Sequence, residues 1–272
     1  RGRLARILAD YRRCWNALAD RSVSIVHLNP SLEPKSFFRE AVFLLMARLR
    51  GKKTLVFFHG WRIGFQQRID RRRGLLFRLL YGRADAFVVL AKAFADTLHR
   101  WGVTQPIHTA TTVIGDDALA GFDVQTAIEA RLQAPLWRVV IASRLMRTKG
   151  IGTTIAALNI VQQTHPHVEL IVAGSGDYAD EARALVERLD VRRVTFTGAI
   201  SNNEICTLLR GAHMLCFPTE HDEGFPNAIV EAMAFGLPVV TRPVGGIADF
   251  FESGEHGYLT ESTSPEALGP IR

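Results

Sequence analysis

Residues 223–231 read Glu223-Gly-Phe-Pro-Asn-Ala-Ile-Val-Glu231, and this stretch decides the fold class. An apolar run at 214–217 precedes it, and a helical pattern follows. Pro226 suits the first helical position, where its missing N–H costs nothing, and Gly236 suits the helix end. The sequence therefore predicts a strand, a loop and a helix in succession, as at the carboxyl edge of a parallel sheet.

The two glutamates of this stretch point to a sugar ligand. A helix N terminus attracts phosphate, because its free N–H groups and positive dipole end face outward. The carboxylates of Glu223 and Glu231 are strong acceptors for sugar hydroxyl groups. Phosphate and hydroxyl groups together indicate an activated sugar.

Length and composition indicate a globular protein. The 272 residues are 47% hydrophobic, which fits about two domains. The chain starts at Arg1 and stops within a pattern at Arg272, so we expect a fragment that lacks both ends. No apolar run approaches the roughly 18 residues of a membrane span. The three cysteines are scattered without metal spacing, which predicts buried thiols and a cytoplasmic protein.

Charge is unevenly distributed along the chain. Residues 1–136 hold 22 Lys and Arg against 11 Asp and Glu, whereas residues 137–272 hold 11 against 16. Seven arginines lie between Arg62 and Arg83, interleaved with apolar residues. One interpretation is an amphipathic helix on an anionic membrane, peripheral on its inner face; the other is a solvated helix face over a core. No nucleic-acid motif accompanies the charge, so we expect no nucleic-acid partner.

Strand-length apolar runs alternate with helical patterns, which predicts βαβ units and parallel sheets. In the first half, strands are predicted at 24–28, 54–58, 86–90 and 107–113, and helices at 35–50, 72–82 and 92–101. In the second half, strands are predicted at 138–143, 168–173, 193–197, 213–217, 238–241 and 257–259, and helices at 150–164, 178–189, 202–211, 226–235 and 247–253. The predicted domains are 1–120 and 137–272, joined by a linker at 121–136.

A second candidate loop lies at 143–150. Arg144 and Lys149 bracket a tight turn that leads into a helix. Two cations at a helix N terminus suit a diphosphate and would stabilise the charge that develops on a departing one. The alternative is a pair of ordinary surface charges.

Two further features leave their interpretation open. Gly174 and Gly176 match G-x-G-x-x-A, but no acid follows the next strand, so a dinucleotide site is disfavoured. These glycines bring backbone close to a nucleoside or simply form a turn. His59 ends an apolar strand, where it either donates a hydrogen bond into a crevice or caps its own sheet.

Several motifs are absent from the sequence. It contains no P-loop, no H-E-x-x-H, no G-x-S-x-G and no strict D-x-D. Glu220, Asp222 and Glu223 form an acidic cluster without histidine partners, which makes a weak metal site. The sequence thus carries no strong signal for a metal or a cofactor.

Residues 218–259 resemble the signature of the retaining glycosyltransferases of family 4 almost without interruption. Supporting matches are Ser143-Arg144 with Lys149-Gly150, Gly174-Ser-Gly176 and Phe196-Thr-Gly198. The resemblance runs over nearly the whole chain and implies an α/β protein of the GT-B fold, in which two Rossmann-like domains with parallel sheets face each other across a cleft. One departure lies between the domains, where Thr112-Val-Ile-Gly-Asp-Asp117 replaces the family's usual hinge.

The resemblance also implies a role for each candidate residue. Glu223 and His59 would be the catalytic residues, near the donor sugar. The implied donor contacts are Arg144 and Lys149 with the diphosphate, Gly224, Phe225, Pro226 and Asn227 in the sugar and phosphate loop, Glu231 with the ribose, and Gly174 and Gly176 with the nucleoside. No metal would be required.

The expected activity is transfer of a sugar from a nucleoside diphosphate sugar to a glycan or lipid-linked acceptor of the cell surface, with retention of configuration. Alternatives are an inactive partner subunit that binds a nucleotide sugar, and another GT-B enzyme such as an epimerase or phosphorylase. A third interpretation, a nicotinamide-dependent oxidoreductase, is supported only by the match at 174–179.

Overall fold

The computed structural model describes residues 2–268, and these form two compact units. The first unit comprises residues up to Thr111 together with Asp222–Phe225, and the second comprises Thr112–His221 and the residues from Pro226 onward. Residue 1 and residues 269–272, where the predicted domains begin and end, lie outside the described residues. Each unit has its own hydrophobic core.

The first unit is built on a parallel sheet of strand order β1-β3-β5-β6, and β2 and β4 form a separate parallel pair. Its helices are α1 (Gly2–Ala17), α2 (Pro34–Leu49), α3 (Ile63–Asp70), α4 (Leu75–Tyr81) and α5 (Lys92–Arg100). Its strands are β1 (Ile25–Leu28), β2 (Ser31–Leu32), β3 (Lys53–Phe58), β4 (Gly60–Trp61), β5 (Ala86–Val89) and β6 (Ile107–Thr109).

The second unit is built on a six-stranded parallel sheet of order β12-β11-β10-β7-β8-β9. Its helices are α6 (Val124–Leu132), α7 (Ile151–Gln162), α8 (Ala179–Leu189), α9 (Asn202–Arg210), α10 (Asn227–Ala234) and α11 (Ile247–Phe250). Its strands are β7 (Trp137–Ala142), β8 (Val168–Ala173), β9 (Val194–Gly198), β10 (Met214–Phe217), β11 (Val239–Thr241) and β12 (Gly257–Leu259).

Local sequence chemistry explains where several of these elements begin. Pro34 occupies the first turn of α2, where its missing N–H is tolerated. Ser201 and Glu204 form a capping box at the start of α9, each side chain bonding the other's backbone N–H. In β3, Thr54, Val56 and Phe58 alternate with more exposed residues, as expected for a strand with one deeply buried face.

One predicted helix, 72–82, is wrong in its extent. The structure has one helix in this range, α4, which begins three residues later, at Leu75; α3 precedes it and was not predicted. The chain turns between the two helices at Arg73 and Gly74, both with positive φ (47° and 72°). A Cβ on Gly74 would lie 2.4 Å from Cβ of Trp101, so the close packing of that indole requires glycine. The seven arginines between Arg62 and Arg83 therefore do not share one helix but are distributed over α3, α4 and the segments that flank them.

The segment predicted as a linker, 121–136, contains α6 within the second unit. Arg131 of this helix is buried, and its guanidinium donates to the carbonyl groups of Leu209, Arg210 and Phe235 at 3.4, 3.1 and 2.9 Å. These carbonyls stand at the ends of α9 and α10, where helices leave acceptors unpaired. Hydrogen bonds to carbonyl groups far away in sequence thus make the predicted linker an integral part of the second unit.

Two other predicted elements are shorter in the structure. The strand expected at 107–113 ends at Thr109, and the helix expected at 247–253 ends at Phe250. The sheet provides the reason for the first, since β6 pairs with β5 only from Ile107 to Thr109. No helix within residues 2–268 combines the length and the hydrophobicity needed to cross a bilayer.

Candidate functional site

The strand order of the second unit marks a switch point between β7 and β10. From β7 the chain proceeds through β8 to β9 on one side, and then returns to build β10, β11 and β12 on the other side. In parallel α/β sheets, ligands bind at the carboxyl edge of such a point, where two neighbouring loops diverge. The loops in question are 143–150 after β7 and the one that starts at Pro218 after β10.

The structure brings these two loops of the second unit together. The N–H of Glu220 donates to the carbonyl oxygen of Thr148 at 2.8 Å, and Thr219 Oγ1 donates to the same oxygen at 3.4 Å. Gly150 has φ +80°, and a Cβ there would lie 2.6 Å from the carbonyl oxygen of Pro218. The loop that carries Arg144 and Lys149 is therefore fixed against the loop after β10.

Lys149 and Arg144 occupy this loop in different environments. The Lys149 side chain is buried, and Nζ lies 5.7 Å from the ring centroid of Phe217, the last residue of β10. Arg144 is exposed. A buried ammonium group at the switch point and an exposed guanidinium on the same loop supply two cations to the carboxyl edge of the sheet, as a diphosphate ligand requires.

Gly174 and Gly176 follow β8, and the structure gives them a packing role. Their φ angles are +136° and +157°, and a Cβ on Gly174 would lie 1.8 Å from the carbonyl oxygen of Ser143. A Cβ on Gly176 would lie 2.3 Å from the carbonyl oxygen of Leu145. The close backbone approach that the structure shows is to loop 143–150. Contact with a nucleoside stays a prediction.

Glu231 lies on α10, which begins at Asn227 directly after the buried Pro226. Its side chain is partly buried, and burial raises the pKa of the carboxyl group above the ordinary 4.5. No basic group lowers it in compensation. A half-buried carboxylate of this kind is a costly group to keep, which is more common at functional sites than elsewhere.

The residues from Asp222 to Phe225 group with the first unit, so the two predicted catalytic residues, Glu223 and His59, belong to one unit. The N–H of Ile63 donates to Asp222 Oδ2 at 3.1 Å. A Cβ on Gly224 would lie 2.3 Å from the carbonyl oxygen of His59. Gly224 and Phe225 are buried there, and glycine at 224 is required for this close approach.

His59 follows β3 and has a partner that sequence reasoning missed. Its Nε2 lies 3.0 Å from Oδ1 of Asn29, which follows β1. Burial lowers the pKa of His59 below 6.5, and the nearby His27 lowers it further. The amide oxygen of Asn29 favours the tautomer with a proton on Nε2, which leaves Nδ1 as an acceptor. The only sequence signal for Asn29 is a polar residue at the end of an apolar strand.

The acidic cluster at 220–223 divides between the two units, since Glu220 lies in the second and Asp222 and Glu223 lie in the first. Within residues 2–268, no three His, Cys, Asp or Glu side chains converge closely enough to hold a metal ion. That no metal or cofactor is needed stays a prediction.

These features define an α/β protein with a cationic loop and a helix start at the switch point of a parallel sheet, the arrangement of a nucleotide-binding Rossmann-like unit. The family model described as Glycosyl transferases group 1 matches residues 129–269, and the model Glycosyltransferase Family 4 matches residues 1–114. The chain belongs to the glycosyl transferases group 1. The predicted fold class, α/β of the GT-B type with parallel sheets, is confirmed.

Curated relatives carry names from polysaccharide synthesis. The amylovoran biosynthesis glycosyltransferase AmsK of Erwinia amylovora is 33% identical over 146 residues, which cover 52% of this chain and 36% of the relative. The putative colanic acid biosynthesis glycosyltransferase WcaL of Salmonella typhimurium is 27% identical over 252 residues, covering 90% of this chain and 59% of the relative. The chain thus spans less than two thirds of the length of both relatives.

Among solved structures, that of Anabaena HepE in complex with UDP and glucose superposes with a TM-score of 0.74. The sequences are 22% identical, and the match covers 99% of this chain and 72% of HepE. The lipopolysaccharide outer core galactosyltransferase WaaB is 17% identical, with a TM-score of 0.65, 97% coverage of this chain and 69% of WaaB. At these identities the likeness concerns the fold.

Proposed function

We propose that the chain transfers a sugar from a nucleoside diphosphate sugar to a glycan or lipid-linked acceptor of a surface polysaccharide or glycolipid, with retention of the anomeric configuration. The single observation that carries the proposal is the buried Lys149 at the switch point, on a loop held against the loop after β10. The names of AmsK and WcaL support the polysaccharide, and the UDP bound to HepE supports the donor class.

In this proposal Lys149 and Arg144 bind the donor diphosphate. Charge accumulates on that group as the bond between the anomeric carbon and the phosphate oxygen breaks. Fixed cations stabilise that charge more in the transition state than in the bound donor, which is the condition for catalysis. Pro226 and Asn227 start α10 beside this site, and Glu231 of the same helix accepts hydrogen bonds from the ribose hydroxyl groups.

The contacts with the donor sugar and with the acceptor are assigned to Glu223 and His59. Glu223 binds hydroxyl groups of the donor sugar, and Nδ1 of neutral His59 accepts a hydrogen bond from a reacting sugar hydroxyl. The acceptor oxygen bonds to the anomeric carbon on the face that the phosphate leaves, and the acceptor proton moves to a phosphate oxygen. This same-face substitution retains configuration and uses neither metal nor cofactor.

We place the reaction in the cytoplasm. All three cysteines, Cys14, Cys206 and Cys216, are free thiols, and the latter two are buried. Unpaired buried thiols are typical of reducing compartments.

Calorimetric titration of UDP tests the diphosphate assignment. Lys149→Met keeps the apolar stem and removes the charge, so affinity should fall about 10- to 150-fold, the value of one charge-assisted hydrogen bond. Arg192→Met, at an exposed position of the second unit, serves as the matched control and should bind normally. Equal affinity of the Lys149→Met protein and the wild type would refute the assignment.

Turnover tests the catalytic assignment separately. Glu223→Gln should bind UDP normally and lose donor hydrolysis and transfer, whereas an inactive partner subunit would show neither activity in the unaltered chain. The anomeric configuration of the first product, followed by NMR, decides between retention and inversion.

A further inference from the structure

The backbone that carries Asn29 and His59 is fixed by hydrogen bonds on either side of the pair. Strand β1 pairs with β3 through its last residue, and the N–H of His59 donates to the carbonyl oxygen of Pro30 at 3.1 Å. Directly beyond, Ser31 of β2 pairs with Gly60 of β4, and a Cβ on Gly60 would lie 2.7 Å from Oγ of Ser31. The two strand ends therefore hold their side chains at a set distance.

The imidazole ring of His59 is held by one contact at its edge and one at its face. Its Nε2 lies 3.0 Å from Oδ1 of Asn29, and its centroid lies 4.0 Å from that of the Phe57 ring, at an interplanar angle of 37°. The ring of Phe57 also stacks on that of His27 at 6.1 Å. Within residues 2–268, Asn29 is the hydrogen-bond partner of the His59 ring, which leaves Nδ1 available to a ligand.

Charged groups also lie on the elements next to His59. They are His27 of β1, Lys92 at the start of α5, and Asp222 and Glu223 of the segment that groups with the first unit. Burial is the main cause that lowers the pKa of His59 below 6.5, and the charge of His27 lowers it further. The imidazole is therefore mainly neutral at pH 7, and its tautomer decides which groups it can bind.

An amide partner acts on a histidine differently from a carboxylate. A carboxylate opposite the ring N–H stabilises the imidazolium form, so it raises the pKa and makes the ring a base that takes up a proton. The amide oxygen of Asn29 accepts the same hydrogen bond without bringing a charge. Asn29 therefore determines which nitrogen of His59 carries the proton, while the ring remains a weak base.

The position of this pair favours a role in ligand binding over a role in stability. Asn29 and His59 are both exposed, and a hydrogen bond between exposed groups contributes little to folding, because water competes for both partners. Both residues follow strands at the carboxyl edge of a parallel sheet, the edge at which ligands of α/β proteins bind. A ring that is oriented before the ligand arrives also loses less freedom on binding.

We propose that Asn29 is a positioning residue for the transfer reaction: its amide oxygen holds His59 in the tautomer with the proton on Nε2, so that Nδ1 accepts a hydrogen bond from a reacting sugar hydroxyl without taking its proton. The proposal rests on the proposed function, in which the acceptor proton moves to a phosphate oxygen. It assigns Asn29 an action through the ring of His59 and no contact with either sugar. The tautomer itself is a property of the unliganded protein and is measurable without turnover.

NMR that correlates the ring protons of each histidine with its ring nitrogens shows directly which nitrogen is protonated, and His59→Gln assigns the signals. In the wild type the proton of His59 should be on Nε2, whereas Asn29→Ala should give a mixture of both tautomers. His213 is the internal standard, because its Nδ1 accepts from the N–H of Arg138 at 3.0 Å and its Nε2 donates to the carbonyl oxygen of Arg131 at 2.9 Å. Its tautomer should be the same in every variant.

The pH dependence of sugar transfer tests the role of Asn29 in the reaction. Protonation of Nδ1 removes the acceptor, so kcat of the wild type should fall only as pH drops through the lowered pKa of His59. Asn29→Asp keeps the acceptor oxygen but adds a charge that raises this pKa, so the fall should begin about one pH unit higher, and transfer should recover at more alkaline pH. Asn29→Ala should lower kcat about fivefold without such recovery, the value of one hydrogen bond between neutral groups, with the KM for the donor unchanged.

Substitutions of Asn16 are the matched controls for a lost amide and for an added charge. Asn16 is exposed on α1 of the same unit, so Asn16→Ala and Asn16→Asp should change neither the tautomer of His59 nor the pH profile. The proposal is overturned by a His59 proton on Nδ1 in the wild type, by an unchanged tautomer in Asn29→Ala, or by an unchanged pH profile in Asn29→Asp.

UDP affinity, measured on the same proteins, separates this proposal from the proposed function. All variants of Asn29 should bind UDP like the wild type, because the residues assigned to the donor diphosphate lie in the second unit. Normal transfer by Asn29→Ala would refute the positioning role alone. Absence of both UDP binding and transfer in the wild type would refute the proposed function, and with it the role of Asn29 in transfer.

Discussion

The two units are both built on parallel sheets, but their hydrophobic cores have different compositions. The core of the first is a cluster of aromatic rings, in which Trp61 stacks on Phe94 at 4.4 Å and lies 6.0 Å from Trp101. The core of the second is mainly Val, Ile, Leu and Ala. In the second unit the candidate donor-binding residues Arg144 and Lys149 lie in a loop at the carboxyl edge of the sheet, whereas in the first unit the candidate His59 follows β3.

The two parallel sheets also differ in strand order. A switch point exists only where strand order reverses, and within residues 2–268 the second sheet has that reversal while the four-stranded first sheet runs in one direction. A small ligand is therefore expected at the loops of the second unit.

The largest expected effect tests the contrast between the cores. The ring of Phe77 contacts five others, those of Phe37, Phe58, Tyr81, Phe87 and Trp101. Phe77→Ala should therefore lower the free energy of unfolding by about 3–5 kcal/mol. Urea denaturation followed by tryptophan emission measures it, since Trp61 and Trp101 lie in the same cluster.

Two variants complete this comparison. Phe235→Ala removes an equally buried ring from the second unit, where Phe122 is its aromatic neighbour, and should cost less than Phe77→Ala. Leu79→Ala changes an exposed residue of α4 and should leave stability nearly unchanged. A larger loss for Phe235→Ala would mean that the aromatic cluster is not the stronger core.

The second prediction concerns the hydrogen bonds by which Arg131 attaches α6 to the rest of the second unit. Arg131→Met fills a similar volume but leaves the carbonyl groups of Leu209, Arg210 and Phe235 without their donor. Unpaired buried carbonyls cost about 1–3 kcal/mol each, partly relieved by water, so we expect about 2–4 kcal/mol in urea denaturation. Arg192→Met should stay within about 0.5 kcal/mol. A loss no larger than the control's would show that α6 is held by apolar contacts alone.

Most regular elements of the fold were predicted from sequence because their signals are local, but α1, α3, β2 and β4 were not predicted. The predicted bounds of β8 (168–173) and β12 (257–259) agree with the structure, since apolar runs end at turn residues there. The late start of α4, at Leu75, was not predicted; Gly74 before it packs against Trp101, which is distant in sequence. The role of α6 likewise depends on carbonyl groups far from Arg131 in sequence.

In the candidate site, too, features with local sequence signals were predicted, whereas features that depend on distant residues were not. Arg144 and Lys149 were recognisable because a cationic turn follows a strand and precedes a helix, and all three signals are contiguous. Asn29 was not recognisable as the partner of His59, because their hydrogen bond joins two strand ends that only the sheet register brings together. The residues 222–225, read as one loop with Glu231, instead group with the first unit.

The third prediction separates stability from ligand binding at Glu231. Burial raises the pKa of this carboxyl above its unfolded value, so ionisation destabilises the fold as pH rises through the folded pKa. Glu231→Gln should therefore have a slightly higher Tm than the wild type at pH 7. The difference should vanish below about pH 4, where the carboxyl is neutral in both folded and unfolded states.

The same variant should bind UDP about fivefold more weakly, because a neutral amide accepts ribose hydroxyl groups less strongly than a carboxylate. Scanning calorimetry and titration of one preparation give both quantities. A lower Tm would assign Glu231 a structural role. Unchanged affinity would remove it from the ribose site.

The smallest expected effect concerns the histidine pair of the first unit. Burial is the main cause that lowers the pKa of His59 and the charge of His27 is the lesser one, so His27→Gln should raise that pKa only slightly. Because the folded pKa lies below the unfolded one, protonation of His59 destabilises the fold as pH falls below 6.5. NMR titration of the imidazole signals measures the pKa directly. A full return to the ordinary value in His27→Gln would mean that the charge of His27, rather than burial, keeps His59 neutral. The pKa of His59 would then be set by a residue of the neighbouring strand β1 and not by the packing around His59.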